Sequence, residues 1–327
     1  MQKHNRNIMA VFAAFTILIM SSACGPTFED DSASILMKPE LLSIVLEPPE
    51  AAPGQSVRAS FLMADERGVT ENVFNFWLPA SFEYGNGELD IEAALEESGL
   101  DIAQLIAPSI EFKAAAEDSL KFNSDGLAAE TVTLIAGLEA PEGEGDSGAG
   151  DRMDGLFADL DRAIQDGRAE TGVRTLVVSR NEERNRNPQV KSLRLIDAAG
   201  AEHEVTLLRH DDESQYEKRR AAAAAAVSIK AGEEITLTVE CEDDSDDPLA
   251  LRYRWISTGG DFGGLTDDEQ PWTAPEYIDP TAEDRSDESD ELRRDPNLRP
   301  IWLVLRDNGE SDRLGQSWVE FYVRVEK

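Results

Sequence analysis

The sequence predicts a mainly β protein with helical insertions, built as two sandwich domains behind an N-terminal signal. Three observations carry this. Short apolar runs with strand alternation recur from residue 41 to the last residues, separated by Pro- and Gly-rich turns. Two stretches, 88–106 and 151–165, have helical spacing instead. The chain also opens on a basic start, a short apolar run and small residues before a cysteine.

That opening sets the compartment. Ile8 to Met20 is an apolar run of 13 residues. At about 1.5 Å per residue it spans about 20 Å, short of a bilayer core of about 30 Å. It is therefore the apolar part of an export signal, with Lys3 and Arg6 as its positive flank. Ser21 and Ala23 are small, so an ordinary signal peptidase is able to cut after Ala23. The ending Ala23-Cys24-Gly25 also resembles the lipobox of bacterial lipoproteins, with Ser21 where that pattern usually carries Leu. The resemblance implies acylation of Cys24, and more than one buried acyl chain makes a stable anchor. By the same resemblance, Gly25 in place of Asp implies the outer membrane, facing the periplasm or the exterior. Residues 1–23 are then signal, and 24–40, polar and acidic at first, a tether.

Charge narrows the partners. The 327-residue chain carries 31 basic and 66 acidic residues, a net −35. Losing Lys3 and Arg6 with the signal leaves 29 basic residues and a net −37. This argues against nucleic acid, whose phosphates must be met by Lys and Arg. It also argues against lying flat on an anionic lipid surface, so membrane contact falls to the N-terminal lipid. Apolar residues make up 41% of the chain, enough for packed cores despite the charge. The cysteines are Cys24 and Cys241. With Cys24 acylated, Cys241 has no disulfide partner and reads as a small buried residue at a strand end.

The first domain is expected over 41–182. Leu41 to Glu47 reads as a strand, and Pro48-Pro49 with Ala52-Pro53-Gly54-Gln55 as a turn. Ser56 to Met63 alternates, with Val57, Ala59, Phe61 and Met63 on one face. Val73 to Leu78 is a third strand. Strand, Pro-rich turn, strand resembles the opening of bacterial immunoglobulin-like domains. A helical insert follows, Glu88 to Glu97 and Asp101 to Ile106, broken at Gly99. Thr131 to Ala136 returns to strand, and Glu142 to Gly150 is a Gly-Asp-Glu linker. Asp151 to Gln165 places Met153, Leu156, Phe157, Leu160 and Ile164 on one helical face. Arg174 to Ser179 closes the domain.

Residues 183–226 lead into the second domain. Asn181 to Pro188 is a polar boundary, Val190 to Ile196 a strand, and His203 to Leu208 its candidate partner. Ser214-x-x-Glu217 is a capping box opening a helix into Ala221 to Ala226, a run that reads equally as a spacer. From Val227 the pattern is strand-rich: Ile235 to Cys241, Leu249 to Ser257 with Leu251, Tyr253 and Trp255 on one face, Ile301 to Leu305, and Trp318 to Val325 in clean alternation. Ala231-Gly232-x-x-Ile235-Thr-Leu-Thr-Val, Tyr253-Arg-Trp255, Thr273-Ala-Pro275 and Val304-Leu-Arg-Asp-Asn-Gly309 resemble a PKD-type immunoglobulin-like β-sandwich over 227–327. The acidic insert Ile278 to Pro296 is longer than such domains need. No tandem copy is visible, only two loosely similar openings.

Several motifs read more simply as structure. Gly145-Asp146-Ser147-Gly148 matches the nucleophile motif of trypsin-like proteases, but the one preceding histidine is His4, in the signal. Gly143-x-Gly145-x-x-Gly148 is crowded by Glu142, Glu144, Asp146 and Asp151, which repel a phosphate. Asp243, Asp244, Asp246 and Asp247 offer oxygen ligands suited to calcium, yet Pro248 and Arg254 stand where an EF-hand needs Gly and Glu. His203 and His210 match no zinc spacing and read as exposed. Trp77, Trp255, Trp302 and Trp318 fall in strands and read as core. Trp272, between Pro271 and Pro275, reads as an exposed loop contact.

The resulting expectation is a non-enzymatic, lipid-anchored envelope protein serving as a structural, adhesion or binding module for a protein or polysaccharide, without a cofactor. The rival is a carbohydrate-active or calcium-dependent carbohydrate-binding accessory protein.

Overall fold

A computed structural model describes residues 34–70, 73–78, 102–137, 169–212, 215–243, 251–263, 268–280, 291–307 and 315–327. The signal, Cys24, the helices expected over 88–97 and 151–165, and the glycine-rich linker lie outside them. The described chain is mainly β, and its contacts divide it into two units. One holds Leu46–Phe61 and Thr70–Arg184; the other holds Phe28–Val45, Leu62–Val69 and Asn185–Lys327. The linear boundaries 41–182 and 227–327 are thus not those of the contacts. Residues 41–45 and 62–69 belong with the C-terminal unit, which begins its final stretch at Asn185.

The N-terminal unit is built on β3 (Glu50–Ala51), β6 (Phe74–Leu78), β8 (Leu127–Gly137) and β9 (Ala169–Ser179), in the sheet order β3-β9-β8-β6. β8 and β9 are antiparallel over their whole lengths, from Leu127↔Ser179 to Gly137↔Ala169. β3 runs parallel to β9. A second sheet pairs β7 (Ser109–Lys113) with the first half of β4 (Ser56–Asp65). The turn between β3 and β4 is the one expected. Gln55 N donates to Ala52 O at 3.0 Å, with Pro53 and Gly54 at the corner. Gly54 has φ +73, which a type II turn needs at that position. Trp77 and Asn75, two apart on β6, both donate to Ala107 O, at 2.9 and 2.7 Å. This secures the end of the short helix α1 (Ile102–Leu105). Phe61 meets Trp77 edge to face at 5.8 Å.

The C-terminal unit is a sandwich. One sheet runs β11 (Glu202–Glu204), β10 (Gln189–Ile196), β14 (Glu234–Glu242), β17 (Glu269–Thr273), β16 (Asp261–Phe262). The other runs β1 (Ser34–Ile35), β15 (Leu251–Ser257), β18 (Leu298–Asp307), β19 (Gln316–Glu326), β12 (Leu208–Arg209), with β13 (Val227–Lys230) parallel to β19. Read as immunoglobulin strands, β10, β14, β17 and β16 stand in the order A, B, E, D, and β15, β18 and β19 in the order C, F, G. The N-terminal unit repeats the C-F-G order as β6, β8, β9, with β3 as the parallel partner of the last. The two units share a strand order that their sequences do not display.

Between these sheets, Leu193, Leu195, Ile235, Leu237 and Val239 meet Trp255, Ile301, Leu303, Leu305, Phe321 and Val323 in one apolar cluster. Alternation along β10 and β14 delivers these residues to the inner face.

β18 and β19 are buried on both faces, whereas alternation in Trp318 to Val325 predicts one exposed face. The outer face is covered by parts of the chain distant in sequence. Trp302, Val304, Trp318 and Ile256 pack with Leu36, Leu42, Val45, Leu62, Ala64 and Leu208 in a second core. Leu42 and Val45 lie on β2 (Glu40–Glu47), whose last two residues, Leu46 and Glu47, belong to the other unit. Beyond them, α2 (Gln215–Ala224) lays Ala222 and Ala223 against Leu298 and Tyr322. The six-alanine run is therefore a packed helix followed by a turn, not a spacer: side chains this small let a helix lie close on a sheet. Ser214, the expected cap, lies outside the described residues.

Candidate functional site

Trp272 is corrected by the structure. It sits in β17, 0% exposed, within the core between the sheets. Its indole N–H donates to Gly259 O at 3.2 Å. Pro271 and Pro275 suggest a loop, but Pro271 occupies an outward strand position opposite Thr236, and its neighbours Gln270 and Trp272 turn inward. Trp77, Trp255, Trp302 and Trp318 are likewise buried. Asp243 follows the last residue of β14, while Asp244, Asp246 and Asp247 lie outside the described residues. Among the described residues no three His, Cys, Asp or Glu side chains gather as a metal site.

Cys241 is half-buried at the end of β14 with a free thiol. Burial pushes that thiol up to about 12, against a smaller lowering by the Tyr253 hydrogen bond. It is a neutral packing group, far from the thiolate a nucleophile needs. His203 approaches Asp197 at 3.1 Å across the β10–β11 turn. That contact first, then the amides of Ala201 and Ala199, hold the Asp197 carboxyl below its usual range. His210 is half-buried, and its backbone N–H donates to Trp318 O at 3.3 Å.

What the described residues offer a partner is the outward face of β10, β14 and β17. Its rows are mostly polar: Ser192 and Arg194, Thr236, Thr238 and Glu240, then Glu269 and Thr273 with Pro271 between them. Arg194 stands opposite Thr238, and Thr238 opposite Glu269. Exposed ion pairs tie Arg194 to Glu202 at 2.9 Å and Lys191 to Glu242 at 3.0 Å. Pairs of this kind contribute little stability and exchange readily with a partner's charges. The strand edge beside this face is guarded, since Arg209 donates to Val190 O and Lys191 O at 3.2 and 3.4 Å. The face can form hydrogen bonds and ion pairs.

Sequence reasoning missed the buried charge cluster on the other sheet. Glu320 on β19 is 0% exposed and Arg219 on α2 is 5% exposed. The guanidinium Nε lies 3.1 and 3.3 Å from the two carboxylate oxygens. Tyr322 donates its hydroxyl to the same carboxylate. A lone acid between Trp318 and Tyr322 on one strand face was the available signal, but its partner is 101 residues away. Two more pairs in this unit have the same long reach: Arg254 with Glu40 at 2.6 Å and Arg293 with Asp65 at 2.8 Å. Arg293 lies on the short helix α3 (Glu291–Arg294) and also donates to Gly68 O and Val69 O. All three arginines fasten peripheral segments to the unit.

No family model matches the chain, and no curated protein matches it. Among solved structures, it is similar to the three N-terminal domains of the bacteriophage RB49 Highly Immunogenic Outer Capsid protein (Hoc), at 11% identity and a TM-score of 0.21, over 88% of this chain and 70% of that one. The assignment of the fold rests on the strand order described above.

Proposed function

We propose that this chain is a non-enzymatic, lipid-anchored protein of the bacterial outer membrane, serving as a structural, adhesion or binding module. The observation that carries the reading is the opening itself: Lys3 and Arg6, the apolar run Ile8 to Met20, then Ala23-Cys24-Gly25. The β-rich body with its guarded edge and polar sheet face is in keeping with a module that makes contacts. The ligand class is protein or polysaccharide.

Mass spectrometry of the mature N-terminus tests the anchor. Acylated Cys24 is expected, and Cys24→Ala is expected to move the protein from the membrane to the soluble fraction. A free, unmodified N-terminus at residue 24 in membrane-extracted protein refutes it. Turnover of a polysaccharide or peptide library by the purified protein refutes the non-enzymatic part. The acidic sequence Asp243, Asp244, Asp246 and Asp247, which offers oxygen ligands of the kind calcium takes, favours calcium-dependent carbohydrate binding as the second reading. A thermal melt unmoved by millimolar calcium removes it.

A further inference from the structure

We infer that the first described residues form a latch belonging to the C-terminal unit, so that an anchor at Cys24 holds that unit directly. The bearing on the anchor rests on the lipid reading above; the latch does not.

β1 runs parallel to β15, with Ser34 beside Ile256 and Ile35 beside Ser257. The Leu36 amide continues this pairing, donating to Ser257 O at 2.8 Å. A strand of two residues is too short to hold by its ladder alone, and side chains complete the grip. Leu36 is 1% exposed, within the second core with Ile256, Trp302 and Trp318. Glu40 pairs with Arg254 on β15. Ser43 Oγ accepts from Gln316 Nε2 on β19 at 2.7 Å. Leu42 and Val45 then enter the same core. Residues 34–45 thus touch β15, β18 and β19 before the chain crosses at Leu46 into the N-terminal unit.

Ten chain steps separate Cys24 from Ser34, a reach of at most about 35 Å. Linear order alone assigns the tether to the N-terminal domain. The described part of the tether, residues 34–40, makes its contacts within the C-terminal unit, and Leu46–Phe61 and Thr70–Arg184 are insertions within that unit's chain path. Tension on the tether is therefore taken up first by the pairing of β1 with β15 and by the core around Leu36.

Hydrogen exchange on the full mature chain tests this, read by mass spectrometry on peptides covering 34–45, 251–257, 298–307 and 127–137. In the wild type, the amides of 34–37 are expected to be protected together with those of β15. Leu36→Asp is expected to abolish protection in 34–45 and 251–257, with loss spreading to 298–307, while 127–137 in β8 is unchanged. Coil-like exchange of 34–37 in the wild type overturns the latch without any variant. So does a Leu36→Asp chain that loses protection in 127–137 and keeps it in 251–257. The acylation state of Cys24, measured on the same sample, is a separate readout. An unmodified Cys24 with protected 34–37 sinks the anchor reading alone; an acylated Cys24 with unprotected 34–37 sinks the latch alone.

Discussion

Replacing Glu320 with Ala removes the carboxylate that faces the buried Arg219 guanidinium. The two side chains are 0% and 6% exposed, so water cannot take over the lost partner. Removing one member of a buried pair costs about 3–5 kcal/mol. That is a drop of roughly 10²- to 4 × 10³-fold in the ratio of folded to unfolded chain. The Tyr322 hydroxyl adds to the loss, because it donates to the same carboxylate. A buried hydroxyl left without an acceptor costs about 1–3 kcal/mol. Taking all three polar groups away together should undo most of the damage. An apolar set of similar volume often matches or exceeds a buried ion pair. Arg219→Met, Glu320→Leu and Tyr322→Phe combined are therefore expected to be far more stable than Glu320→Ala alone. Urea unfolding followed by tryptophan fluorescence is the assay. Four of the five tryptophans, Trp255, Trp272, Trp302 and Trp318, belong to the C-terminal unit, so the signal reports mainly there. A Glu320→Ala midpoint within about 0.5 kcal/mol of wild type would refute the reasoning, since surface substitutions scatter by that much. So would a triple variant as unstable as the single one.

Other perturbations discriminate further parts of the structure. At Gly260, φ is +85 and an added Cβ would lie 2.4 Å from Thr273 O and 2.7 Å from the Trp272 ring; at Gly200, φ is +81 with nothing within 4 Å. Gly200→Ala should cost about 1–2 kcal/mol from backbone strain alone. Gly260→Ala should add a further 1–3 kcal/mol or so from overpacking, and equal melting temperatures for the two variants would contradict this. Trp272→Ala should cost about 3–5 kcal/mol as a core truncation, with Trp272→Phe recovering part of it; a variant that keeps wild-type stability would return Trp272 to the surface. The depressed Asp197 carboxyl gives stability that is present above the unfolded value near ~3.9 and lost as pH falls through the folded one. Protection of the β10–β11 hairpin should therefore decline in acid, and Asp197→Asn should flatten that decline; an equally steep loss in the variant would clear Asp197 of the effect. The raised Cys241 thiol contributes stability below an unfolded value near ~8.5 that is lost as pH rises beyond it. Iodoacetamide at pH 8 should modify it slowly in the folded chain and rapidly in urea, and fast labelling without denaturant would show a reactive thiol instead.

Much of the fold is legible locally. Leu41 to Glu47, Ser56 to Met63, Thr131 to Ala136, Ile235 to Cys241 and, of Leu249 to Ser257, the described residues from Leu251 on fall on strands, because alternation and Pro–Gly punctuation are properties of short windows. The Pro53-Gly54 turn is local too. Trp272 fails for a related reason: a window of Pro271 to Pro275 looks like loop, and only pairing with β14 shows it to be strand. The candidate contact face could be read only in part. Its outward residues follow from alternation, but that this sheet, and not the one holding β18 and β19, keeps an open polar face depends on what covers the other.

By itself the sequence determined that the protein is mainly β, where most of its strands lie, and how strongly negative its net charge is. These are consequences of residue type, period and sum, each computable without knowing which residues meet. Tertiary structure alone decided the pairings: Glu320 with Arg219, Glu40 with Arg254, Asp65 with Arg293, and Leu36 beneath Trp302 and Trp318. It also decided that β19 is buried on both faces although its sequence alternates. The physical reason is that burial belongs to a surface and whatever lies against it. Segments such as 34–45, 62–69 and 215–224 reach that surface only after the sheet exists to receive them.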